Sequence, residues 1–288
     1  MKPAPTAGPL LGRRAATVLA LALLGVVAWI RLDLSVSDVL PDPTRGQTAR
    51  AFAAAALQPA FDYEGDFVPS GAVPFWRNVV AASARTVVFA AGGMFLALIG
   101  GLILGMAAST TWWRTAGALP GWGGRLRPVG LAGARLTIAG LRSVHELLWA
   151  VLFLAALGVS PAAGAIAIAI PYAGTLAKVF SEQIDEAPRD AGAALAGLGA
   201  TGTQQFAAGV LPRAARQMAS FAFYQFECSV RAAAVLGFFG FPTLGQKIAA
   251  SFTNGNYGEV WTYLYALIGL VLVIELWSAR LRSGSSTR

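Results

Sequence analysis

The stretch GLGATGTQQFAAGVLPRA, Gly197 to Ala214, decides how this chain is read. It is rich in glycine and alanine and has no long apolar run, yet it lies between two segments suited to lipid. These are PAAGAIAIAIPYAGTLAKVF (Pro161–Phe180) before it and FAFYQFECSVRAAAVLGFFG (Phe221–Gly240) after it. Such an interruption reads as an excursion out of the membrane, Ser181 to Arg216, between two spans. Pro188 suits the first turn of a helix and Asp190 the positive end of its dipole. AGAALAGL (Ala191–Leu198) continues that helix, Gly199-Ala200-Thr201-Gly202 breaks it, and QQFAAGVLP (Gln204–Pro212) forms a second short one. Two short helices with small faces make a knob that fits a groove on another protein. Composition alone favours a plain helical connector.

The totals agree with a membrane chain. Of 288 residues, 56% are hydrophobic and 12% charged, with a mean hydropathy of +0.60. Soluble domains carry about 25% charged residues. The formal charge of +8 and pI near 10.2 would suggest nucleic acid in a soluble protein; here the basic residues are first a topology signal. A lone Cys228 excludes an intramolecular disulfide, and with His145 as the one histidine, no cysteine or histidine metal cluster is expected. The sequence has no G-x-x-x-x-G-K-[ST], so ATP is not bound by a P-loop of this chain.

A helix needs about 20 apolar residues to cross a bilayer. The first span is Ala15–Ile30, flanked by Arg14 and Arg31, and it lacks the small-x-small site of a cleaved signal peptide. The second runs from about Val79 to Ala108. In it Gly93, Ala97, Gly101, Gly105 and Ser109 recur every fourth residue, a face that lets another helix approach closely. The long run from Leu141 to Phe180 divides at Gly158-Val159-Ser160-Pro161 into a third and a fourth span, with Pro171 expected to kink the fourth. The fifth covers Gln217–Gly240 and the sixth Val260–Trp277, with Trp261 and Trp277 as interfacial anchors. The expected architecture is therefore an all-α polytopic membrane protein of six spans, both termini on one side.

That side gathers Lys2, Arg13, Arg14, Arg114, Arg125, Arg127, Lys178, Arg189, Arg213, Arg216, Arg280, Arg282 and Arg288. The opposite loop, Leu32–Trp76, holds Asp33, Asp38, Asp42, Asp62, Glu64 and Asp66 against Arg45 and Arg50. The asymmetry puts the termini in the cytoplasm and accounts for the high pI without nucleic acid. Within the outer loop, TRGQTARAFAAAALQPAF is expected to be a helix on the membrane surface. The closing RSGSSTR reads as a frayed tail. The organisation is 1–76 as first span and acidic outer loop, 77–282 as membrane core with an elbow over about 182–216, and 283–288 as tail.

Gly199, with Leu211 and Pro212 twelve and thirteen positions on, resembles the coupling motif of ABC importer permeases, Glu-Ala-Ala, three residues, Gly, nine residues, Ile, one residue, Leu-Pro. Ala194 fits its first alanine. Ala193 stands where the glutamate falls, Leu195 at the second alanine and Gly209 at the isoleucine. YQFECSVRAAAVLGFFGFPTLG (Tyr224–Gly245) is similar to the region after the coupling loop in phosphonate-uptake permeases, through Tyr224, Phe226, Glu227, Val230, Arg231, Val235, Gly237, Gly240 and Gly245. LRSVHELLWAVLF resembles that family's Arg-x-x-Pro-Glu-x-x-Trp-Ala through Arg142, Glu146, Trp149 and Ala150, with His145 in place of proline. Phe239–Gly245 departs from the family's glycine-rich turn by added bulk.

The resemblance covers about Arg77–Arg282. It implies a type I ABC importer permease fold, with a cytoplasmic coupling helix between spans four and five, in the cytoplasmic membrane. It further implies a chain without cofactor, catalytic residue or ATPase of its own, carrying phosphonate, phosphite or a similar oxyanion. The implied partners are cytoplasmic ATPase subunits, an extracytoplasmic solute-binding protein, a second copy of the chain and membrane lipid. Asp190, Ala194, Gly199, Leu211 and Pro212 would contact the ATPase, with Asp190 or Glu186 in the glutamate's stead.

Arg142 and Glu146 are four apart in the third span, and Glu227 and Arg231 four apart in the fifth, so each pair is expected on one helix face. A charge costs about 2.5–3.5 kcal/mol at a span's centre on insertion scales. These groups therefore face protein or water, either as ion pairs that fix packing or as an anion path with Arg85 as a further member. Arginine's planar donors suit a tetrahedral oxyanion. Two rivals remain at this stage: an ion-coupled transporter using Arg142, Glu146 and His145 as a relay, and a membrane scaffold. His145 reads as packed or hydrogen-bonded, and Cys228 as an inert small residue.

Overall fold

A computed structural model describes residues 12–33, 35, 43–65, 71–115 and 123–285, and among them all regular structure is helical. Asp38, Asp42, Asp66 and residues 286–288 of the tail lie outside the described residues. The chain forms two compact units, Met1–Ala54 and Ala55–Arg288. The first holds α1 (Arg13–Arg31) and most of α2 (Pro43–Ala55), which answer to the first span and to the outer-loop helix.

The second unit is built around α3 (Phe75–Ala108) and α7 (Pro161–Glu186). The small-residue face of the second span is their seam. A Cβ added to Gly93 would meet Ile168 at 2.7 Å, one on Gly101 would meet Leu176 at 2.6 Å, and one on Gly105 would meet Phe180 at 3.0 Å. Every partner lies 75 positions further along the chain, so the two helices run parallel in one register. Ala90, Ala97, Ala167, Ile168 and Leu176 are wholly buried there. Pro171 sits inside α7, which continues through it without a break.

Two parallel helices require the intervening chain to return, and the return differs from the expected straight third span. α4 (Thr110–Thr115) is followed by α5 (Gly123–Ser143) and α6 (Glu146–Leu157), which meet at a bend of 86°. The helix stops because His145 acts as an N-cap, its Nδ1 accepting from the Leu147 amide at 3.3 Å. A cap interrupts the i to i−4 ladder and starts a new one. Arg142 and Glu146 therefore do not share a helix face; one ends α5 and the other begins α6.

After the elbow, α10 (Leu211–Leu236) runs on through a 3₁₀ turn, Gly237–Phe239, to α11 (Leu244–Thr253) at 43° and then α12 (Tyr257–Ser285). Residues 282–285 of the expected frayed tail are thus helical. The bulky turn packs inward. Gly240 takes φ +89°, and Phe241 is fully buried edge-on to Phe89 at 5.9 Å. Buried Thr86 of α3 accepts the Leu244 amide at 3.0 Å and so caps α11 from across the bundle.

Among the described residues, four helices are individually long and apolar enough to cross a membrane, and up to six spans result if each bent pair counts as one. Part of the outer loop is stapled to the core. The Glu64 amide donates to Glu259 Oε1 at 2.9 Å, and the Glu259 amide donates to Glu64 Oε2 at 3.1 Å, a reciprocal cap on α12. Thr262 Oγ1 donates to the Ala60 carbonyl at 2.6 Å, and Tyr265 to that of Ala56 at 2.7 Å.

Candidate functional site: an elbow and a polar stripe

The opening stretch is a stop signal followed at once by a start signal. α8 (Asp190–Gly197) begins with Arg189 as N-cap, so Pro188 precedes the helix instead of entering its first turn. It ends in a Schellman motif: Gly199 at φ +83° donates to the Ala196 carbonyl, and the Ala200 amide to that of Leu195, both at 3.0 Å. Thr201 then opens the next helix with a capping box. Its hydroxyl accepts the Gln204 amide, and its amide donates to Gln204 Oε1 at 2.8 Å.

The second short helix expected at Gln204–Pro212 is not separate. α9 (Gly202–Gln204) widens into a π turn, Gln205–Val210, and passes into α10. Pro212 explains the widening. It has no amide to donate back, and its ring would press on the carbonyl four residues earlier.

Gly209, where the motif has isoleucine, faces Gly192 of α8. A Cβ on Gly209 would lie 2.7 Å from the Gly192 backbone. Two glycines thus let α8 rest backbone to backbone on the π turn, with Phe206 and Val210 buried behind it. Arg213 pairs with Asp190 across the elbow, and its guanidinium holds that exposed carboxyl below the usual carboxylate range. Ala193, Ala194 and Gly199 are exposed, and Leu198 at the tip is 85% exposed.

The root of the elbow is held by Asp185, which the sequence reading missed. Its Oδ1 accepts from Ser109 Oγ at 2.7 Å and the Thr111 amide at 2.8 Å; its Oδ2 accepts from the Thr110 amide at 3.0 Å and Thr110 Oγ1 at 2.9 Å. Arg189 donates to Thr111 Oγ1 at 3.1 Å and to the Asp185 carbonyl at 3.2 Å. One carboxylate so caps α4 and fastens it to the end of α7. Asp185→Ala leaves two amides of a helix start without their acceptor. Denaturation of the purified chain should show a loss of roughly 2–3 kcal/mol, the cost of stranding such groups.

The charges in the spans sort differently from the expectation. Glu227 is buried, and Arg231 reaches it at 3.4 Å on the same face of α10 while its own side chain stays 51% exposed. Cys228, rather than inert, accepts from Arg231 Nη2 at 3.3 Å. Glu146, at the start of α6, forms no ion pair with Arg231 among the described residues. Nor does Arg142 pair with Glu227; it lines a separate cavity with Arg135 and Lys178. Exposed Arg85 has no ion pair among the described residues. His145 is exposed, 3.6 Å from Glu146.

Below that cluster, Gln217, Ser220, Phe221 and Tyr224 of α10 and Gln183 of α7 line a cavity of about 470 Å³. Gln217, Tyr224 and Arg231 are spaced by seven, with Ser220 and Cys228 between, so they form one polar stripe along α10. The stripe runs from the elbow toward Glu227 and Arg231. Sequence reading stopped at the charged pair; the weaker signal was the period of the uncharged polar residues. Among the described residues, no group of three or more metal-ligating side chains is present.

Comparison with known proteins supplies the context. The chain is 34% identical over 150 residues to the putative phosphite transport system permease protein HtxE of Stutzerimonas stutzeri, covering 52% of this chain and 58% of that one. It is 34% identical over 152 residues to the phosphite transport system permease protein PtxC of the same organism, covering 52% and 54%. The chain thus spans just over half the length of these relatives. No protein-family model matches it. Among solved structures, a chain of the inward-facing MetNI methionine ABC transporter superposes with a TM-score of 0.60 at 20% identity, covering 74% of this chain and 98% of that one. Over about half its length the chain is similar in sequence to phosphite transport permeases, and its fold resembles that of the matched chain of a methionine ABC transporter.

Proposed function

We propose that this chain is the membrane-spanning subunit of an ATP-driven importer for phosphite, phosphonate or a similar small oxyanion. The observation that carries the reading is the elbow: a capped, glycine-seated helix with an exposed small-residue face, set between two span-length helices. It supports a coupling role in which Asp190, Ala194, Gly199, Leu211 and Pro212 shape the surface offered to a cytoplasmic ATPase. The chain performs no covalent step. Its contribution is a pair of conformations between which the ATPase discriminates, because a partner shifts an equilibrium only by binding its two states differently.

In this reading the termini and elbow are cytoplasmic, an extracytoplasmic binding protein delivers the solute, and a second copy faces the polar stripe of α10. The stripe's exposure in the single chain favours a water-filled path between copies. Arg231 then offers guanidinium donors to the oxyanion while Glu227 keeps it oriented. Arg231→Ala should leave assembly intact, since half of that side chain already meets solvent. Uptake should fall at least about tenfold, the loss of one charge-assisted contact. Unaltered uptake would remove Arg231 from the path.

The elbow is tested directly in a Cys228→Ser background carrying Leu198→Cys. An impermeant thiol reagent should label it only after the inner face is opened, and a bifunctional reagent should join it to the ATPase. Labelling from the outer face would exclude the proposed orientation.

A further inference from the structure

Arg135 and Arg142 are seven residues apart on α5, so they lie on one face about 10.5 Å apart along the axis. Both line a cavity of about 360 Å³ between α5, the end of α3 and the last turns of α7, together with Lys178, Ser181, Glu182 and Asp185. Its floor is apolar, formed by Ala108, Ile138 and Ala139, with Ile138 and Ala108 buried.

The two carboxylates on the wall are already committed. Asp185 accepts four hydrogen bonds from Ser109, Thr110 and Thr111. Glu182 is paired with Lys178 at 2.6 Å. No ion pair to Arg135 or Arg142 is formed among the described residues. Two arginines thus line one recess without an ion pair of their own. Planar guanidinium groups in pairs suit a phosphorus oxyanion, each able to bind two oxygens at once.

We infer that this recess is an oxyanion site, distinct from the α10 stripe, in which Arg135 and Arg142 hold a phosphate-type group against α7. The group bridges α5 to the helix whose last turn carries Asp185, so its occupancy stiffens the root of the elbow. The chemistry is shared by a free phosphorus oxyanion and the phosphodiester of an anionic lipid, since basic pockets between membrane helices also take lipid headgroups. The inference does not depend on which solute the chain carries.

The test uses the full chain in phosphatidylcholine vesicles, titrated with inorganic phosphite by calorimetry, and in vesicles of equal parts phosphatidylcholine and phosphatidylglycerol, from which retained lipid is measured by native mass spectrometry. Arg231→Ala is carried in every arm so that the α10 stripe is not counted. Saturable phosphite binding weakened about tenfold or more by Arg135→Gln with Arg142→Gln, and restored in part by lysine at both positions, assigns the site to a free anion. Retained phosphatidylglycerol lost in the same glutamine variant and recovered with lysine assigns it to lipid. Circular dichroism and thermal melting of the lysine variant show that the fold is kept. Absence of both ligands, or binding equal in the parent and the folded variants, overturns the inference.

Discussion

Gly209→Ile is expected to disconnect ATP hydrolysis from transport while leaving the membrane core folded. The substitution installs the residue of the coupling motif that the chain resembles, yet here it must fail. A Cβ at Gly209 already lies 2.7 Å from the Gly192 backbone, where no side chain can yield. Isoleucine adds three further carbons and pushes α8 off the π turn, and overpacking of this kind costs typically 1–3 kcal/mol. Spent on the contact that joins α8 to α10, that cost corresponds to a coupling loss of about 5- to 150-fold. The measurement is solute-stimulated ATPase activity and uptake in the reconstituted complex. Under the proposed function the parent should couple the two, and the variant should retain basal hydrolysis with little stimulation. Normal stimulation in Gly209→Ile would mean that the close seat of α8 is irrelevant to coupling.

Gly101→Val should act on the fold itself. Its Cβ would sit 2.6 Å from Leu176 Cβ, with the Ala173 carbonyl at 3.4 Å, in the centre of the α3–α7 seam. Neither helix can move aside locally, because the same register is fixed at Gly93 and Gly105. The strain therefore exceeds the ordinary overpacking range of about 1–3 kcal/mol, and folded protein should be lost from membranes. Gly269→Val on α12 has no neighbour within 4 Å of the new Cβ and should accumulate normally. Gel filtration of the extracted proteins distinguishes the two. Equal yields would show that the seam tolerates separation.

These two sites also show where sequence is informative. The four-residue repeat of small side chains in α3 announced a close helix approach before its partner was known, because lipid gives helices no other strong reason to pair. The break at Gly199 was likewise readable, since a glycine at positive φ ends a helix on its own, whereas the Thr201 capping box and the π turn before Pro212 were not read. Nor was the 86° bend after Ser143. LRSVHELLW contains neither glycine nor proline, and the break depends on His145 serving as a cap and on Gly174 admitting Leu141 and Arg142 at close range. The i, i+4 rule was sound, but it was applied across two helices. Asp185 escaped because its partners are 74 to 76 positions away, a distance at which no periodicity speaks. The difference between the two charged pairs has the same origin: the α10 pair lies within one helix, whereas Arg142 and Glu146 stand on either side of the bend.

The reciprocal bond between Glu64 and Glu259 carries an evolutionary consequence. Each side chain satisfies the other's main chain, so loss of either strands a donor on the opposite segment. Sequence drift at one position is then tolerated only when its mate drifts in concert. Descendants of this chain should preserve the two acids jointly or discard them jointly, a correlated inheritance linking the outer segment to the final helix.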